Sequence, residues 1–189
     1  MDEFYELEFI GRGGQGAKTA AELVARILLS KGKFIQCFPD YGPERKGAPV
    51  RAFTRSSDSE IRGCSSEANP NVIILIDPTL LALNGTLFNI KDGQTVLVNS
   101  PESAETLRKQ FNIRASIKFY SVDATKIAMD NLKNNITNST MLGALSKVTG
   151  LYTLDEIKEE FKTEFEQKLD KEKIESNYRV IEIAASQVK

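Results

Sequence analysis

Polar and apolar residues alternate through Phe4-Tyr5-Glu6-Leu7-Glu8-Phe9-Ile10, a period of two that predicts a strand, and the pattern then changes. Ala17, Ala20, Ala21, Val24, Ile27 and Leu28 recur at helical spacing, so a helix over about Gly14 to Lys31 is expected to lie flat on a sheet, with Gly32 as its left-handed terminator. Lys33 to Phe38 reads as a second short strand and Val50 to Arg55 as a third, whose alternation puts Arg51, Phe53 and Arg55 on one face. That face is expected to be the solvated side of an edge strand, with a phosphate or partner contact as the alternative. A turn at Ser56 to Ser59 would lead into Glu60-Ile61-Arg62 as the returning half of a hairpin.

Asn71 to Asp77 is apolar without alternation, the pattern of a strand buried on both faces of a parallel sheet. Thr95 to Asn99 is a further buried strand, Ser100-Pro101-Glu102-Ser103 starts a helix toward Gln110, Ile117 to Val122 is the next strand and Ala124 to Leu132 a helix. Ser139 to Val148 forms another helix ended by Gly150, and Thr153 caps one running through about Phe161. Glu164 to Val188 reads as a charged helix with a narrow apolar stripe at Ile174, Tyr178, Ile181 and Ala185. Serial alternation of strand and helix predicts a three-layer α/β fold with a mostly parallel sheet: a single domain, core about 4–151 and helical tail about 152–189.

The junction of the first strand and helix carries the clearest chemical signal. Gly11, Gly13 and Gly16 satisfy G-x-G-x-x-G, in which absent side chains permit a tight turn and close backbone approach to an anion at a helix N-terminus. Packing of bare backbone against a neighbouring protein surface explains the same glycines. Pro39 to Pro49 is a loop with three prolines and two glycines, which excludes helix and central strand and marks it as functional. Asp77-Pro78 places an acid at a strand's carboxyl end, where it caps the following segment, with ligand binding as the alternative.

Composition narrows the chemistry. The 189 residues carry a formal net charge of −1, which suggests neither nucleic acid nor an anionic membrane as a bulk partner. The start Met1-Asp2-Glu3 is acidic, and no apolar run approaches the roughly 20 residues needed to span a bilayer, so a cytoplasmic location is expected. There is no histidine, which removes histidine-based nucleophiles and metal sites. The two cysteines, Cys37 and Cys64, are too few for a four-cysteine cluster and are expected to be small buried side chains. No catalytic or metal-binding residue is assigned.

Four ordered segments carry a resemblance: Gly11 to Ala17, Phe38 to Arg55, Asp77-Pro78-Thr79-Leu80 and Met141-Leu142-Gly143-Ala144-Leu145. Together they resemble the gamma subunit of 2-oxoacid:ferredoxin oxidoreductases over about residues 9–151. The resemblance implies a Rossmann-like subunit of a multisubunit enzyme that converts a 2-oxoacid oxidatively to an acyl-coenzyme A with ferredoxin or flavodoxin as electron carrier. Thiamine diphosphate with Mg2+ and the iron-sulfur clusters would belong to alpha, beta and delta-type companions, leaving no cofactor in this chain, which alone would be inactive. The long loop from Pro39 to Pro49 most resembles the pyruvate and branched-chain enzymes, and pyruvate is the first choice. The resemblance further implies coenzyme A at a subunit junction, with Gly11, Gly13, Gly14, Gln15 and Gly16 addressing it from the turn and Arg45 and Lys46 from the loop. Two other classes share the pattern. An independent NAD(P)-binding protein would place Asp40 on the ribose, although it lies 24 residues beyond Gly16 and after Pro39; a pure scaffold would use the glycines for packing alone.

Overall fold

The computed structural model describes residues 4–41, 49–62, 69–82 and 90–189. Its strands are β1 (Tyr5–Arg12), β2 (Phe34–Tyr41), β3 (Pro49–Ser57), β4 (Val72–Leu75), β5 (Thr95–Asn99) and β6 (Lys118–Val122). The helices are α1 (Ala17–Ser30), α2 (Ala104–Gln110), α3 (Ala124–Leu132), α4 (Asn138–Thr149), α5 (Leu154–Phe165) and α6 (Lys171–Gln187), with a short 3-10 turn at Pro78–Ala82. One six-stranded sheet has the order β2-β3-β1-β4-β5-β6. The β1–β4, β4–β5 and β5–β6 pairs are parallel, whereas β3 runs antiparallel to both β1 and β2. The expected α/β architecture with a mostly parallel sheet is what the chain forms.

Two faces of the sheet are covered unequally. On one, Leu7, Phe9, Val72, Ile74 and Leu97 meet α1 and α3 to α6 in a single core that includes Val24, Leu142, Ile157 and Ile181. On the other, Ile73, Leu75, Val96 and Val98 meet the 3-10 turn and α2 through Leu80, Leu81 and Leu107. The terminal helix is therefore part of the main core: α6 crosses α4 so closely that the Ile181 carbonyl faces Gly143. Residues 164–188 are also two helices rather than one, because Asp170 accepts from the Lys173 N–H and starts α6 anew.

The third strand corrects two expectations. It lies inside the sheet, between β2 and β1, and its hairpin partner is β2, whereas Glu60 to Arg62 forms no strand. Pro39 sits in β2, an edge strand that tolerates the missing N–H. Arg51, Phe53 and Arg55 do share a face, but they oppose Ile10, Glu8 and Glu6 of β1. Arg55 is 1% exposed and Glu6 fully buried, so at Phe53 and Arg55 this face is a paired interior, and only Arg51 keeps solvent contact. The Arg55 Nε–H donates to Glu6, and its guanidinium lies 4.8 Å from the Phe4 ring and 4.9 Å from that of Phe38. Cys37, expected to be buried, is exposed on β2; Cys64 lies outside the described residues.

Candidate functional site

The turn between β1 and α1 stands at the carboxyl edge of the sheet, where open α/β sheets place their ligands. Its helix begins at Ala17 rather than at Gly14, because Gly14 and Gly16 have φ of 93° and 80°, the left-handed region in which a Cβ is strained. Gly16 is the N-cap and has no side chain to offer, so the first-turn amides of α1 receive no side-chain cap. Gly13 and Gly14 are exposed with open space where a Cβ would stand. Gly11 differs: it is buried, and a Cβ there would come within 3.3 Å of Gln15 Oε1, 3.5 Å of Ile76 Cβ and 3.6 Å of Ala17 Cβ. Gly11 thus packs helix on strand and Gly16 packs against the Asn138 side chain, while Gly13 and Gly14 present backbone.

Gln15 holds this loop together. Its Oε1 accepts from the Arg12 N–H at 2.7 Å, and its Nε2 donates to Asp77 Oδ2 at 2.6 Å. Asp77 Oδ1 accepts from the Thr79 N–H at 2.8 Å and the Thr79 hydroxyl at 2.5 Å, which caps the 3-10 turn as expected. Arg12 completes the cluster, with Nε 3.4 Å from Asp77 Oδ2 and Nη2 donating to Thr79 Oγ1 at 2.8 Å. Burial alone would raise the Asp77 pKa, but the donors Thr79 and Gln15 and the charge of Arg12 outweigh it and hold the carboxyl below its ordinary 3.8. The Gln15 amide is thereby used inside the chain, and what the turn presents outward is backbone.

A second charged group lies on the neighbouring sheet face. Glu8 Oε1 is 2.7 Å from Arg51 Nε without the alignment of a hydrogen bond, and Arg51 is 42% exposed. Burial pushes the Glu8 pKa up to about 7; Arg51 offsets this only in part, and Glu6 and Asp40 add to it. These paired carboxylates were missed in the sequence. The available signal was that Glu6 and Glu8 fall on the same strand face as each other, as Arg51 and Arg55 do on β3.

The remaining sequence candidates are placed as follows. Arg45 and Lys46 lie outside the described residues. Asp40 is on β2, with β3 standing between it and β1, so it is about 10 Å to the side of the β1–α1 turn. A dinucleotide fold needs its ribose-binding acid on the strand beside β1, and Asp40 is not there. Among the described residues no group of three or more Cys, Asp and Glu side chains could hold a metal.

A glycine turn at the carboxyl edge of a mostly parallel sheet, locked by internal hydrogen bonds and backed by helices, defines a Rossmann-like α/β fold. Residues 6–187 match the family model of pyruvate ferredoxin/flavodoxin oxidoreductase, and the chain belongs to that family. It is 39% identical over 187 residues to pyruvate synthase subunit PorC of Thermotoga maritima, covering 99% of this chain and 96% of the relative. It is 42% identical over 160 residues to the common gamma subunit of the pyruvate/ketoisovalerate oxidoreductases of Thermococcus kodakarensis, covering 85% and 86%. The crystal structure of the Thermotoga maritima pyruvate oxidoreductase subunit PORC superposes with a TM-score of 0.84 at 36% identity, over 99% of this chain and 98% of that one. The chain is homologous to the gamma subunits of these multisubunit enzymes, and an independent NAD(P)-binding protein is not favoured. No described helix is long and apolar enough to cross a membrane.

Proposed function

We propose that this chain is the gamma subunit of a cytoplasmic pyruvate:ferredoxin oxidoreductase, seated against alpha, beta and delta-type subunits and contributing backbone amides to coenzyme A. Near-complete coverage of a pyruvate synthase subunit supports the assignment to pyruvate. Thiamine diphosphate, Mg2+ and the iron-sulfur clusters then belong to the companion subunits, since two cysteines and no histidine cannot ligate a cluster here. Electrons leave through those companions to ferredoxin or flavodoxin.

The observation that carries the coenzyme A role is the uncapped start of α1 behind exposed Gly13 and Gly14. Backbone N–H groups at a helix N-terminus fit a pyrophosphate, and Gln15 and Asp77 preorganise them by fixing the loop from within. Arg45 and Lys46, which lie outside the described residues, would supply the cationic side of the same site. The test is steady-state kinetics of the assembled enzyme carrying Gly14→Val or Arg45→Lys. A raised coenzyme A KM with the pyruvate KM and the assembly unchanged supports the reading. Unchanged coenzyme A kinetics in both variants would refute it, and loss of the complex would assign the turn to subunit packing instead.

A further inference from the structure

Leu7 and Phe9 turn toward α1, so strand alternation puts Glu6 and Glu8 on the opposite sheet face, where β1 meets β3 in two Glu–Arg pairs. The two pairs are built differently. In the first, the Arg55 Nε–H donates to Glu6, and the Asn69 N–H donates to the other Glu6 oxygen at 3.1 Å. Its guanidinium also lies against the rings of Phe4 and Phe38, and both side chains are almost fully buried. That pair is locked.

The second pair is half open. The Glu8 side chain is 3% exposed, whereas that of its partner Arg51 is 42% exposed. Their contact of 2.7 Å lacks the alignment of a hydrogen bond, and Glu8 Oε1 accepts none. A buried carboxylate whose counter-ion stands half in water and out of line is poorly compensated. The other charged groups around it do not help. Glu6 on its own strand and Asp40 from β2 are like charges, and Arg55 is engaged by Glu6. On the other side β4 brings only Ile73 and Leu75 to this face. Burial is the largest cause and Arg51 a partial offset, so the Glu8 carboxyl exchanges its proton at about pH 7 rather than in the ordinary carboxylate range.

The register gives the pair its place. Arg51 opposes Ile10 and Val50 opposes Gly11, so Arg51 stands at the carboxyl end of β1, one position before the glycine turn.

We propose that Glu8 and Arg51 form a proton-operated latch at this edge of the sheet: ionised Glu8 holds the guanidinium on the sheet, and neutral Glu8 releases it to the surface. An anion approaching this edge then meets an uncommitted guanidinium only when Glu8 carries its proton. Neither residue belongs to the glycine turn, so the latch does not depend on the coenzyme A reading.

The full 189-residue chain is titrated across neutral pH, with carbon NMR following Glu8 Cδ and nitrogen NMR following Arg51 Nε. The two signals should move together with a shared midpoint at about 7, and the Arg55 Nε signal from the locked pair should move far less. Glu8→Gln, a neutral side chain of the same shape, should abolish the movement of Arg51 in a chain that stays folded. Arg51→Gln, at a half-exposed position, should leave Glu8 titrating with its midpoint raised by roughly one pH unit, because the charge that lowers it is gone. An Arg51 signal that is flat in the parent, one that still moves in Glu8→Gln, an Arg55 signal that moves as far as that of Arg51, or a Glu8 midpoint indifferent to Arg51→Gln would overturn the proposal.

Discussion

Gly143→Ala tests the packing of the terminal helix directly. A Cβ built on Gly143 falls 2.1 Å from the Ile181 carbonyl oxygen and 2.7 Å from its carbon and Cα. Ordinary contact needs about 3.5 Å, so α6 must retreat by roughly 1–1.5 Å, and no rotamer can relieve a clash of backbone against Cβ. The retreat loosens Val180, Ile181 and Ala184, all fully buried against the core. Overpacking of this kind costs about 1–3 kcal/mol, and the backbone contact places it at the upper end. Alanine's better helix propensity returns about 0.5–1 kcal/mol, leaving a net loss of about 2–2.5 kcal/mol. For a chain of this size that corresponds to a Tm lowered by about 4–10 °C, measured by circular dichroism. Gly13→Ala is the control, because it has neither positive φ nor a neighbour within 4 Å of its Cβ, and it should melt as the parent does. If Gly143→Ala also melts within a degree or two of the parent, α4 and α6 do not cross where the structure puts them.

Three further outcomes follow from the charged groups and from the composition. Because the Glu8 pKa is raised from 4.5 to about 7, its folded form keeps a proton that the unfolded chain has lost, so its stabilisation is full below about pH 4.5 and fades as pH rises through 7. Glu8→Gln should flatten the Tm profile across that window, and a profile unchanged from the parent would contradict the burial of Glu8. Asp77 has the opposite sign: its carboxyl is held below 3.8, so its contribution is present above about pH 4 and is lost as pH falls through the folded value. Gln15→Leu removes one donor and should raise the Asp77 pKa read by carbon NMR, with acid unfolding moving to higher pH; an unshifted titration would show that Gln15 is not its partner. The purified chain alone should be colourless and should not reduce a dye with any 2-oxoacid; an iron-sulfur spectrum would contradict this.

How much was legible beforehand follows from what each pattern encodes. The continuous apolar run before Asp77 specified a buried parallel strand, and the stripe with Gly32 specified α1 and its end: Gly32 has φ 80°, and the Lys33 N–H donates to the Leu28 carbonyl. Thr153 was legible as the cap of α5, and the structure adds that Glu156 completes a capping box with it. Strand order is not a property of local periodicity, so nothing in Val50 to Arg55 told that β3 would lie inside the sheet. Polar alternation reads as solvent exposure unless the opposite strand is known to carry Glu6 and Glu8 in register. The same limit hid the use of Gln15, which depends on a contact across 62 residues, the Gln15–Asp77 bond. Gly143 stood out in the sequence only by resemblance; its physical reason, the Ile181 carbonyl, needed the fold.

The central claim is that this chain works as the gamma subunit of a 2-oxoacid:ferredoxin oxidoreductase. The most direct measurement is to purify the native assembly through an affinity tag on this chain, identify the companions by mass spectrometry, and assay ferredoxin reduction with pyruvate and coenzyme A. The account predicts companions that carry thiamine diphosphate and iron-sulfur clusters, and reduction that requires both pyruvate and coenzyme A. Recovery of the chain without such companions, or of an assembly that reduces no ferredoxin with any 2-oxoacid, would contradict it.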